Sequence, residues 1–130
     1  MRKRLRSERG DALIEGLLAL GLVLLAVAVG AQALAYAHAR SVAEAAAQDG
    51  ARAAVTGGPG AGAGRARAIL AAAGDTGAGL SSSARVERDR VTVSVGGRAP
   101  SLFPLSLIVP SVRASASLPL ERYPQEEARP

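Results

Sequence analysis

Apolar and polar positions change their pattern several times along the chain. From Gly16 to Ala37 no charged side chain occurs in 22 consecutive residues, and only Gln32 and the Tyr36 hydroxyl interrupt the apolar character. As a helix this stretch spans roughly 33 Å, the thickness of a bilayer core. The Ala-rich pattern continues through Ser41-Val42-Ala43-Glu44-Ala45-Ala46-Ala47, which predicts one helix running to about Val55. Thr56-Gly57-Gly58-Pro59-Gly60-Ala61-Gly62-Ala63-Gly64 is expected to stop it and act as a flexible joint. Ala66, Ile69, Leu70 and Ala73 then recur at i, i+3, i+4, i+7, predicting a short second helix over 65–73 that ends at Gly74. Period-two alternation of Val91, Val93 and Val95 predicts a strand over 90–96, with 84–87 as a short partner across a turn at Glu87-Arg88-Asp89. Val112, Ala114, Ala116 and Leu118 alternate in the same way and predict another strand.

The expected fold class is therefore α+β: a long N-terminal helix, a short second helix and a small antiparallel sheet of two or three strands. Residues 1–10 form a basic leader and 11–55 the long helix, with its membrane part at about 13–37. Residues 56–64 are the joint, 65–123 a small α+β domain, and 124–130 a polar tail expected to be disordered. Leu102-Phe103-Pro104-Leu105-Ser106-Leu107-Ile108-Val109-Pro110 is the one dense bulky cluster outside the apolar helix. It is too short to span a bilayer, and either closes the small core or forms an exposed docking patch.

Composition narrows the function classes. Of 130 residues, 29 are Ala and 15 are Gly, and only 19 bulky apolar or tyrosine side chains lie beyond residue 40. So thin a core argues against a free-standing enzyme. With no Cys and one His, His38, neither thiolate chemistry nor a multi-histidine metal site can be assembled, so no catalytic residue, metal or cofactor is expected. The net charge of +5 is concentrated at the tip: residues 1–9 alone hold +4, while from residue 41 onward ten Arg face eight acids. Three aromatic residues offer no base-stacking platform, so nucleic acid is not an expected partner.

A basic tip directly before an apolar run orients a membrane helix with its N-terminus in the cytoplasm and the C-terminal part outside. The 11 Leu, Ile and Val residues from Leu13 to Val29 contribute roughly −3 to −7 kcal/mol to insertion, enough to carry an acid at the edge. The competing reading is a secretory signal cleaved within Ala31 to Ala39, where several A-x-A triplets occur, releasing a small secreted or membrane-surface binding protein. The length of the apolar run and the acid at its entrance count against it.

That acid, Glu15, stands five residues after Gly10 in Arg9-Gly10-Asp11-Ala12-Leu13-Ile14-Glu15. A carboxylate at the mouth of a membrane helix is either a group that stays wet among headgroups or one that needs a cationic partner. The block resembles the class III prepilin processing site, where a peptidase cuts after Gly and leaves Glu as the fifth mature residue. Together with Asp49-Gly50-Ala51-Arg52-Ala53 and the tail Ser117-Leu118-Pro119-Leu120-Glu121-Arg122, it resembles the TadE-like family of minor pilins and pseudopilins of tight-adherence (Flp-type) pilus systems. Gly16 departs from the aromatic residue usual after the Glu, which fits the minor pilins better than the major one.

The resemblance implies a pilin-like inner-membrane protein processed between Gly10 and Asp11 by a prepilin peptidase. It also implies association with related pseudopilins, the major pilin and the assembly platform, and possible entry into a surface pilus used in adhesion. Glu15 would pair the Asp11 α-amine of a neighbouring subunit and set its register, since a buried charge without its partner costs several kcal/mol. Asp49, Gly50, Ala51 and Arg52 would form the family's motif near the end of the long helix.

Three other motifs read as coincidences. Asp75-Thr76-Gly77 matches an aspartic-protease triplet but lacks flanking apolar strands, and reads as a surface turn. Arg9-Gly10-Asp11 spells an adhesion tripeptide at the cytoplasmic face. The Gly-rich joint lacks the Lys-Ser/Thr of a phosphate-binding loop.

Overall fold

The computed structural model describes residues 2–103 and 110–120, for residues 2–9 the backbone only. Helix α1 (Arg2–Ala72) and helix α2 (Asp75–Ala78) precede strands β1 (Leu80–Glu87), β2 (Arg90–Arg98) and β3 (Ser111–Pro119). The strands form one antiparallel sheet in the order β1-β2-β3, so the fold is α+β as the residue pattern predicts. The chain divides into two units, Met1–Leu34 and Ala35–Pro130.

The first unit is helix alone. Its described large apolar side chains, among them Leu13, Leu17, Leu18, Leu22, Leu25 and Leu34, are 55–73% exposed. A helix that is apolar all round and covered by nothing matches lipid rather than water. It is long and apolar enough to cross a membrane.

The second unit is built on a bend in α1. Gly58 has φ 82° and ψ 175°, outside the helical region, and Pro59 follows it inside the helix. Proline disfavours helical geometry in the residue before it, and only glycine reaches this φ/ψ readily, so the helix breaks at this residue. Pro59 then opens the next segment, where its missing N–H costs nothing. The expected nine-residue joint is thus a single residue: 59–64 are helical, and the second helical segment starts at Pro59 instead of Arg65. The glycines at 60, 62 and 64 weaken a helix by about 1 kcal/mol each but do not forbid it.

The two segments flanking Gly58 fold back on each other. A Cβ built on Gly50 would stand 2.9 Å from the Gly62 carbonyl oxygen and 3.1 Å from Ala66 Cβ, and one on Gly62 would stand 2.5 Å from Ala54 Cβ. The pairs 54/62 and 50/66 are symmetric about the break, which makes the arrangement an antiparallel helical hairpin with its backbones in contact. The sheet covers this hairpin. Ala39, Ala43, Ala46, Ala47, Ala51 and Ala54 form a buried stripe on the first segment, met by Ala66 and Leu70 from the second. From the sheet come Leu80, Val91, Val93, Val95 and Val112. The largest fully buried side chains are all valines, so the thin core inferred from composition is real, and small helix residues let the sheet lie close.

β1 and β2 are joined by the two residues Arg88 and Asp89, with Glu87 paired to Arg90 and Arg88 at φ 53°. β1 begins at Leu80, four residues before its expected start, because Ser81-Ser82-Ser83 hides the alternation. Ser82 faces inward and its hydroxyl donates to the Ala63 carbonyl at 3.2 Å, pinning β1 to the second helical segment. Between β2 and β3, Leu102 and Phe103 are 54% and 40% exposed, so this start of the bulky cluster lies at the surface. Its continuation over 104–109 and the tail at 124–130 lie outside the described residues.

Candidate functional site

The residues singled out in the sequence fall in two places. Gly10, Asp11 and Glu15 lie on α1 in the first unit; Asp11 and Glu15 are exposed, and a Cβ on Gly10 would meet nothing within 4 Å. Asp11 and Glu15 are separated by four residues, so their Cα atoms stand on one helix face about 6 Å apart along the axis. No bulky neighbour among the described residues covers the Gly10-Asp11 bond or the Glu15 carboxylate.

Asp49, Gly50, Ala51 and Arg52 lie in the second unit, at the crossing of the helical hairpin, and each has a separate role. Gly50 permits the backbone approach to Gly62. Ala51 is fully buried beneath the sheet. Asp49 Oδ1 accepts a hydrogen bond from Arg52 Nη1 at 3.2 Å, and its Oδ2 stands 3.5 Å from Arg65 Nη2 on the returning segment. The block is a clasp that holds the two helical segments together. Its charged groups are substantially exposed, so the ion pairs add little stability and the close packing at Gly50 does most of the holding.

Arg65 and Gly62 complete the clasp and were not foreseen from the sequence. The repeated small residues at 50, 54, 62 and 66, symmetric about a Gly-Pro pair, are the signal that marks them. Ahead of the clasp on the same helix, Arg40 Nε donates to Glu44 Oε1 at 2.9 Å. This hydrogen bond, then the charge of Glu44 and the proximity of Tyr36, raise the Arg40 pKa above its ordinary value.

The remaining candidates lie apart from both groups. Asp75 is exposed in the first turn of α2, and Gly77 is buried because a Cβ there would run into the Leu70 carbonyl oxygen. Asp-Thr-Gly is therefore a packing turn at the end of the hairpin. His38 is exposed on α1, and among the described residues no group of three His, Asp or Glu converges as metal ligands would. Compared with protein-family models, with curated proteins and with solved structures, the chain finds no match.

Proposed function

We propose that this chain is a TadE-like minor pilin or pseudopilin of a tight-adherence pilus machine, a non-enzymatic subunit anchored in the cytoplasmic membrane by α1. The carrying observation is the entrance to the exposed apolar helix: five basic residues, then Gly10-Asp11, then Glu15 directly before 22 uncharged positions. On this reading the N-terminus is cytoplasmic and the α+β unit extracytoplasmic, by the distribution of basic residues. A prepilin peptidase removes residues 1–10, and the new Asp11 amine and the Glu15 carboxylate then lie one turn apart on one face. Each subunit thus offers a donor and an acceptor to neighbours displaced along the axis. Partners are the bilayer, the peptidase, related pseudopilins and the major pilin, and the assembly platform.

The described domain suits such a subunit. It is a small valine and alanine core built on the continuation of the helix that carries the anchor.

The test is the N-terminus of the membrane-extracted protein, read by mass spectrometry. A mature chain starting at Asp11 is expected. One starting at Met1 refutes processing, and one starting beyond Ala33, released from membranes by carbonate, establishes the secretory-signal reading instead.

A further inference from the structure

The outer face of the sheet carries positive charge that neither the clasp nor the membrane helix uses. Strand alternation and register place Arg85, Arg90, Arg98 and Arg113 on this face, with Glu87 the one carboxylate among the described strand residues. Arg40, Arg52 and Arg65 on α1 are all ion-paired, whereas none of the four sheet arginines has an ion pair among the described residues.

Hydroxyls fill the space between these arginines. Ser83, Ser94 and Ser115 are in register across the three strands, forming a row with about 4.8 Å between neighbours. One row further on, Thr92 Oγ1 donates to Ser117 Oγ at 3.1 Å. On the other side of the serine row Gly96 carries no side chain, and Ser81, Ser94, Ser115 and Arg113 border a shallow, largely open depression there. Arg113 Cγ would lie 3.8 Å from a Cβ on Gly96, so its stem walls the depression and its guanidinium can reach an acidic group seated there.

Among the described residues this face has no aromatic or large aliphatic side chain. It therefore lacks the anchors of a protein hot spot and the stacking platform of a single-stranded nucleic acid site. What it offers is a flat array of hydroxyls for hydroxyl-rich ligands and guanidinium forks for carboxylates or phosphates. We infer that the outer sheet face binds an acidic polysaccharide, with one acidic group in the Gly96 depression against Arg113 and sugar hydroxyls along the Ser83-Ser94-Ser115 row. Arg85 then meets a second acidic group on the opposite side of that row. This inference is independent of the pilus reading.

Binding of polygalacturonate to the full chain in nonionic detergent micelles, measured by calorimetry, tests it. Neutral dextran serves as the uncharged control and a double-stranded DNA fragment as a competitor of another class. Arg85→Gln with Arg113→Gln, and separately Gly96→Val, are each expected to weaken polygalacturonate binding at least tenfold. Arg52→Gln with Arg67→Gln, which removes the same charge from the helices, should change it less than twofold. Circular dichroism identifies any variant that fails to fold, and the exposed arginine pair is the variant that decides if Gly96→Val does. Absence of binding by the folded wild-type chain overturns the inference, as does equal loss in the two arginine pairs. DNA competing as well as free polygalacturonate also overturns it, by showing attraction to any polyanion.

Discussion

Gly50 and Gly62 face each other across the helical hairpin so closely that a Cβ on Gly50 would stand 2.9 Å from the Gly62 carbonyl oxygen, and one on Gly62 2.8 Å from that of Gly50. Neither position has room for a methyl group without moving backbone. Gly62→Ala is therefore expected to destabilise the domain by about 1–3 kcal/mol through overpacking. Gly64→Ala is the matched control: it sits in the same helical segment with nothing within 4 Å of its Cβ position. That change should stabilise by about 0.5–1 kcal/mol, because Ala loses less backbone entropy in a helix. Thermal unfolding of both variants, followed by circular dichroism, checks the pair; a shift of the same sign in both would refute the close crossing.

The charges of the clasp should matter less than its shape. Asp49 holds Arg52 and Arg65, yet the side chains of the two arginines are 72% and 57% exposed. Asp49→Asn should cost at most about 1 kcal/mol. The loss should shrink further in 0.5 M salt, where screening has already removed most of the attraction. Gly50→Ala should cost more than Asp49→Asn at every salt concentration in denaturant titrations of the two variants.

The central strand contributes the bulk of the core. Val93 is fully buried, and its Cγ1 would lie 3.0 Å from a Cβ on Gly50. Val93→Ala should destabilise by about 2 kcal/mol, a large share of what a small domain has to lose. Ser94, the next residue, points to the opposite face and is exposed. Ser94→Ala should stay within about 0.5 kcal/mol of the parent in the same titrations.

At the β1-β2 hairpin, Arg88 holds φ 53° in a two-residue connection. A non-glycine residue there is strained by roughly 1–2 kcal/mol, so Arg88→Gly should raise the unfolding free energy by about 1 kcal/mol despite the added chain entropy. A lowered midpoint would mean that the Arg88 side chain contributes more than its backbone costs.

The apolar helix is legible from its unbroken uncharged run, and the strands at 90–96 and 112–118 from their period-two alternation. Elsewhere the chain mixes signals. Nine consecutive positions of mainly Gly and Ala have the composition of a joint, yet the physical constraint acts at one residue, Gly58 before Pro59; the rest is held helical by packing that no local pattern encodes. Ser82 concealed the start of β1 because a serine that satisfies its hydroxyl against Ala63 occupies an inward position an apolar residue would otherwise mark. The Asp49 block was visible as a motif, but its partner Arg65 is distant in sequence and becomes apparent only once the hairpin closes. Gly10 and Glu15 stand out through the basic leader, their spacing and the apolar run together, a block that resembles a prepilin processing site, and their geometry adds one element, the shared helix face of Asp11 and Glu15.

That shared face makes the role of Glu15 separable from a general effect of charge. On the proposed reading Glu15→Ala leaves insertion intact, since removing an acid from the edge of an apolar run can only favour it. The variant should fractionate with membranes like the parent and be processed to the same N-terminus. It should fail to enter the assembled complex, because the neighbour's Asp11 amine would then be buried without a counter-charge, at a cost of several kcal/mol. Asp11→Asn keeps the α-amine and removes only a side-chain carboxylate one turn away, so it should assemble normally. Quantifying each variant in sheared surface filaments and in the membrane fraction separates the cases. Assembly of Glu15→Ala at parental levels would refute the pairing, and equal loss with Asp11→Asn would show that net charge at the helix mouth, rather than the Glu15 carboxylate, is what the assembly reads.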